Sequence, residues 1–185
     1  VYSVRVATTN GCVLHDSVEV FIPPKPEISV NDSTQCLENN SFRFEAQNFL
    51  STSTYTWRFQ NQQKQGKNFD VSFQKAGKDQ VWLISKNDRG CKDSSSVNLE
   101  AFEMPVAAFV TSRPKACQGV EIAFSEQSSS GSGYRFNWDF GDGDTSQNSD
   151  PKHRYLNTGT YKVTFKVEDP KGCKDLISRQ LEVVA

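Results

Sequence analysis

Between Tyr134 and Asp169 the chain reads YRFNWDFGDGDTSQNSDPKHRYLNTGTYKVTFKVED, with Asp139, Asp142, Asp144 and Asp150 crowded around glycines and His153 close behind. Clustered carboxylates are what a hard cation such as calcium takes as ligands, about six to eight oxygens in all. The spacing is incomplete for that role. An EF-hand-like reading from Asp142 uses Asp144 and Ser146, then finds Gln147 where the loop needs glycine and His153 where it needs glutamate. The alternative is that these aspartates cap a tight turn by accepting backbone N–H bonds. His153, oriented by Asp139 or Asp142, has the type of a general base. No serine or cysteine stands in a nucleophile elbow or comparable setting, so a histidine packed at a strand start is the simpler expectation. No catalytic residue, metal or cofactor is assigned. His15, beside the Gly11-Cys12 turn, has no candidate partner and is expected to be solvated.

The five cysteines make sense only once the repeats are seen. GKDQVWLISKNDRGCKDSSSVNLEAF from Gly77 and GTYKVTFKVEDPKGCKDLISRQLEVV from Gly159 align without gaps, an offset of 82 residues. Cys36 matches Cys117, and Trp57 in WRF matches Trp138 in WDF, each at an offset of 81. The opening VYSVRVATTNGCVLHDSVEVFI matches only the last third of such a repeat. The expected organisation is therefore the end of a preceding repeat over 1–23, a full repeat over 24–102 and another over 103–185. Strands without partners cannot bury a sheet face, so this sequence is expected to be an excerpt of a longer tandem array. Proline-rich stretches at the junctions, Ile22 to Pro26 and Glu103 to Pro105, would stiffen that array into a semi-rigid rod.

Each full repeat has one cysteine near its start and one in a Gly-Cys turn near its end. Cys36 is thus expected to pair with Cys91, and Cys117 with Cys173, at separations of 55 and 56 residues. Closing loops of that size stabilises each repeat by about 4 kcal/mol in the chain-entropy model. Cys12 is left for a partner preceding residue 1. A zinc site would want clustered pairs such as CxxC, and no two cysteines lie close in sequence. Disulfides place the protein outside the cytosol.

The elements that must position these residues are strands. Phe136, Trp138 and Phe140 alternate with Asn137 and Asp139, and Tyr161, Val163, Phe165 and Val167 alternate with Lys162, Thr164 and Lys166. Period two of this kind puts one face of each strand in a core, and Gly141-Asp142-Gly143 supplies the turn that reverses the first. The expectation is an all-β protein of tandem β-sandwich modules, which the resemblance below makes Ig-like. A composition of 36% hydrophobic and 23% charged residues suits a globular protein. The formal charge is −1 and basic residues gather nowhere, which argues against nucleic acid as a partner. No apolar run approaches the roughly 20 residues that span a bilayer.

Taken in order, WDFGDG, PKHRY and GTYKVTFKVED resemble the signature of the PKD domain, an extracellular Ig-like β-sandwich. The resemblance covers the last repeat throughout. The middle repeat keeps Trp57, Phe59, Phe73, Gly77 and Gly90-Cys91 but has WRFQNQ for WDFGDG, so nothing tied to the acidic turn carries over to it. The NGC and KGC turns with early-cysteine partners resemble PKD repeats of large surface proteins from gliding, type IX-secreting bacteria. That resemblance implies a cell-surface adhesin or a spacer in one. Tyr161, two residues after Gly159, resembles the tyrosine corner of such sandwiches; the equivalent in the middle repeat is Asp79.

One departure between the repeats suggests recognition. In VWLIS, Val81 and Leu83 take the core positions of Val163 and Phe165, so Trp82 and Ile84 take the outward positions of Thr164 and Lys166. Either Trp82 lies across the sheet beneath Arg58 or another long side chain, or Trp82, Ile84 and Arg58 form a contact surface. The expected function is a non-catalytic extracellular array, the stalk or adhesive region of a large secreted or surface protein. Its partners would be other modules of the same chain, surface or secretion-system proteins, or polysaccharide. The alternative is a set of accessory modules beside a secreted hydrolase.

Overall fold

The structure, a computed structural model, describes residues 2–18 and 25–185. The expected boundary at residue 23 and Ile22 to Pro24 of the proline-rich junction lie outside the described residues. Every regular element among the described residues is a strand. The first hairpin joins β1 (Tyr2–Ala7) to β2 (Val13–Val18). Eight strands follow in the middle repeat: β3 (Glu27–Val30), β4 (Thr34–Cys36), β5 (Phe42–Gln47), β6 (Thr54–Phe59), β7 (Gln62–Gln65), β8 (Asn68–Val71), β9 (Gly77–Lys86) and β10 (Lys92–Phe102). The last repeat has the same eight: β11 (Phe109–Thr111), β12 (Lys115–Cys117), β13 (Glu121–Glu126), β14 (Arg135–Asp139), β15 (Thr145–Ser146), β16 (Lys152–Arg154), β17 (Gly159–Glu168) and β18 (Lys174–Val184).

The sheet orders are identical once eight is added to each strand number. The middle repeat pairs β3-β5-β8 and β4-β10-β9-β6-β7, and the last pairs β11-β13-β16 and β12-β18-β17-β14-β15. Both therefore make an Ig-like β-sandwich of a three-stranded and a five-stranded sheet. By packing, the described part of Val1–Ser33 forms one unit with Phe42–Val71 and Asp79–Leu99. Thr34–Ser41, Ser72–Lys78 and Glu100–Ala185 form the other.

Strand alternation decides what fills each core. In β9 Val81 and Leu83 are fully buried, and in β17 Val163, Phe165 and Val167 are. Trp57 is enclosed between Phe44 and Phe69, with ring centroids 5.8 and 6.0 Å away. Trp138 has Phe165 at 4.2 Å, Phe109 at 5.2 Å and Phe124 at 5.6 Å. Burying aromatic side chains of this size is the main favourable term in so small a domain.

The disulfide is not where matched spacing put it. Cys36 is bonded to Cys173, 137 residues away, with Cα atoms 5.5 Å apart, while Cys91 and Cys117 are exposed free thiols, as is Cys12. Strand register explains why Cys36–Cys91 and Cys117–Cys173 cannot form. β4 lies parallel to the far end of β10, with Cys36 opposite Phe102, whereas Cys91 precedes the first residue of β10. An extended strand of 11 residues separates them by roughly 35 Å, and a disulfide needs Cα atoms within about 7 Å. Cys117, opposite Val184 at the far end of β18, is equally remote from Cys173, which precedes Lys174.

Thiol-blocked, unreduced peptide mapping of the 185-residue chain is expected to recover Cys36 linked to Cys173. A Cys36→Ser, Cys173→Ser variant should unfold more readily, by at most about 5 kcal/mol for a loop of this length. Recovery of Cys36 with Cys91 would contradict the register.

Candidate functional site

The acidic turn is built by its own hydrogen bonds. β14 ends at Asp139, whose Oδ1 accepts the Gly141 N–H at 2.9 Å. The Phe140 N–H donates to the Asp144 carbonyl at 3.1 Å, and Asp142 Oδ1 accepts the Asp144 N–H at 3.2 Å. Gly141 takes a φ of 83° and lies so close to β17 that a Cβ there would fall 2.7 Å from the Lys162 carbonyl oxygen. Glycine is required twice over at that position, for conformation and for space.

β16 brings His153 to this turn, with Nε2 2.7 Å from Asp142 Oδ2 and Nδ1 3.9 Å from Asp144 Oδ2. The imidazole lies flat on Phe140, centroids 4.2 Å apart and planes 6° from parallel, and meets Tyr155 edge-on at 4.6 Å. Tyr155 is buried and its hydroxyl donates to the Phe140 carbonyl at 2.9 Å. Burial, reinforced by the Asp142 charge, pushes its phenol far above the usual tyrosine range. Tyr161 packs on Tyr155 at 4.2 Å and donates to the Asn157 carbonyl at 2.9 Å, the bond of a tyrosine corner. Tyr155 carries the buried bond, a role that only its place beside His153 in PKHRY could have suggested.

Of the four aspartates, Asp142 and Asp144 come together with His153, their ligand atoms lying within 4.8 Å of one another. Asp139 and Asp150 are not in that group. Asp150 Oδ1 accepts the Ser125 hydroxyl at 2.7 Å and the Glu126 N–H at 3.1 Å, tying β13 to the loop before β16. The Ser125 hydroxyl bond holds its carboxyl below the usual aspartate range, and desolvation opposes this. Two carboxylates and one nitrogen fall short of the oxygen shell calcium takes. The Asp142–His153 pair is a charge-assisted brace across the turn, with an aromatic stack beneath it.

The outward-facing pair is where alternation puts it. Trp82 is 42% exposed and Ile84 half-buried, while Val81 and Leu83 are fully buried. Arg58 is exposed and stands directly opposite Trp82 on β6, and Thr56 stands opposite Ile84. At the matching face of the last repeat, the Thr164 and Ser178 hydroxyls hydrogen-bond at 3.0 Å. A surface depression of about 300 Å³ lies between Tyr134, Phe136, Asn137, Gln147 and Lys166. It draws its residues from three separate strands and loops and has no sequence signature. His15 is exposed on β2.

Comparison with known proteins places the last repeat. Residues 103–184 match the PKD domain family. A microbial collagenase of Vibrio alginolyticus is 38% identical over 68 residues, which are 35% of this chain and 8% of the collagenase. This chain therefore spans a small fraction of that relative's length. The PKD1 domain of the Vibrio cholerae metalloprotease PrtV is 32% identical over 44% of this chain and 99% of its own, with a TM-score of 0.39. An I-band fragment of titin, 17% identical, superposes over 89% of this chain and 66% of its own at a TM-score of 0.50, a likeness of fold.

Gly141→Ala is expected to destabilise the last repeat by about 2–3 kcal/mol or more, since backbone strain and a clash with β17 coincide. Gly143→Ala meets nothing within 4 Å and should cost only about 1 kcal/mol of strain. Equal losses in thermal unfolding would refute the close-approach argument. Because the folded carboxyl of Asp150 is more acidic than the unfolded one, its contribution is present above the ordinary aspartate range and lost as pH falls through the depressed value. Asp150→Asn should therefore flatten the acid limb of the stability curve, without changing its alkaline limb.

Proposed function

We propose that this chain is a non-catalytic extracellular segment that spaces and presents surfaces within a larger secreted or cell-surface protein. The observation carrying this reading is the twofold use of one sandwich, in which the residues with chemical potential are spent on holding turns. Asp139, Asp142, Asp144, His153 and Tyr155 brace the acidic turn. The match of residues 103–184 to the PKD family supports a modular role, and the Cys36–Cys173 bond supports an oxidising compartment. No helix among the described residues is long and apolar enough to cross a membrane.

Within that role we favour an adhesive or stalk array at the cell surface, akin to those of gliding, type IX-secreting bacteria, with other modules, surface or secretion-system proteins or polysaccharide as partners. A second reading has its own support: the likeness to segments of a collagenase and a metalloprotease favours accessory modules beside a hydrolase domain. The complete reading frame distinguishes them. Many further repeats and a C-terminal secretion domain favour the array, and a hydrolase domain favours the accessory role.

The recognition surface of this segment is assigned to Trp82, Ile84 and Arg58, where two like modules differ without harming the core. Trp82→Thr with Ile84→Lys should leave stability within roughly 1 kcal/mol, as for ordinary surface sites. Adhesion or binding to polysaccharide should weaken. Unchanged binding by a well-folded double variant would reject the surface.

A further inference from the structure

The Cys36–Cys173 bond joins an early-strand cysteine of the middle repeat to the Gly-Cys-turn cysteine of the last. Both halves of this linkage occur again with free thiols. Cys117 reproduces the position of Cys36. It ends a three-residue strand parallel to the last strand of its repeat, opposite Val184 as Cys36 is opposite Phe102. The next residue repeats the bond too: Leu37 N–H donates to the Phe102 carbonyl at 2.8 Å, and Gln118 N–H to the Val184 carbonyl at 2.7 Å.

Cys91 reproduces the position of Cys173. The Cys173 N–H donates to Asp169 Oδ1 at 2.8 Å and its carbonyl accepts the Asp169 N–H at 2.9 Å. For Cys91 the same bonds run to Asn87, at 2.8 and 3.0 Å. Gly172 and Gly90 precede them with φ of 88° and 86°. The turn is thus preformed whether or not its sulfur is bonded. Exposure differs: Cys173 is 1% accessible beside its partner, whereas Cys91 and Cys117 face solvent.

We propose that Cys91 and Cys117 form this same linkage with further repeats of one polypeptide, each early-strand cysteine bonding the Gly-Cys turn of the repeat that follows it. Cys117 takes the turn cysteine of a following repeat, and Cys91 the early-strand cysteine of a preceding one. This rests on the array reading above. It turns separate modules into a continuously cross-linked chain, in which each repeat is tied to the next. In each link two thiols lose two protons and two electrons as the S–S bond forms. The electrons pass to the disulfide of a thiol–disulfide exchange donor, which is cleaved to two thiols after thiolate attack through a mixed disulfide.

The test takes the whole polypeptide carrying this sequence, as isolated from its oxidising compartment. Free thiols are blocked with N-ethylmaleimide, the protein is digested without reduction, and linked peptides are sequenced. Cys117 should be recovered with a Gly-Cys-turn cysteine and Cys91 with an early-strand cysteine, each from a neighbouring repeat. Cys117→Ser should leave one new alkylated cysteine in the following repeat while the Cys91 link persists. Flanking repeats with Cys91 or Cys117 alkylated, or linked to any other partner including a second copy, overturn the linkage and leave the array reading standing. A polypeptide with no flanking repeat of this kind overturns both.

Discussion

Each sandwich is organised around one indole that has to be both buried and satisfied. Trp57 and Trp138 are fully buried, and a buried N–H without an acceptor is costly. In the middle repeat Trp57 Nε1–H donates to the Gly66 carbonyl at 2.9 Å, and in the last Trp138 Nε1–H donates to the Asn148 carbonyl at 2.9 Å. Both acceptors lie just past the short edge strand that pairs with the tryptophan strand. The indole therefore fixes the core and the course of the backbone leaving that edge. In the last repeat Phe124 and Phe165 reach the ring from the two different sheets, whereas in the middle repeat Phe44 and Phe69 both come from the facing three-stranded sheet, so in each the indole sets their packing.

The two repeats solve the adjoining turn differently. In the last, Phe140-Gly141-Asp142-Gly143-Asp144 approaches the β17 backbone closely enough to demand glycine, and Asp142 reaches His153 across the turn. In the middle repeat Gln60 adopts a φ of 50° between β6 and β7, and the hairpin register runs Phe59 opposite Gln62. A hairpin needs left-handed backbone at such a turn, and glycine supplies it with least strain. The acidic residues are thus an elaboration of one repeat, which is consistent with a bracing role. What the repeats hold in common makes the sandwich; what separates them lies at this turn and on the outward positions of β6 and β9.

Cysteine pairing shows how a repeat can mislead. One cysteine of each kind per repeat means that pairing within a repeat and pairing to the next have equally regular spacings. Only register separates them, because β4 and β12 meet the far ends of β10 and β18. The long last strand sets the two cysteines of one repeat at its opposite ends. A bond between them is thereby impossible, and a bond to a neighbouring repeat becomes the available solution.

The all-β class, the repeat offset and the inward and outward faces of β9, β14 and β17 were legible in the order of the residues. Alternation of apolar and polar residues translates directly into sheet faces, whatever the rest of the chain does. Tyr161 was legible through its resemblance to a tyrosine corner, and its bond to the Asn157 carbonyl is local, spanning four residues. Tertiary structure alone decided the partners of groups far apart in sequence. Asp142 rather than Asp139 meets His153, Asp150 turns to Ser125, Tyr155 takes the Phe140 carbonyl, and Cys36 finds Cys173. Each pairing depends on which strand ends the sheet order brings together, and residue type and spacing carry no record of that order.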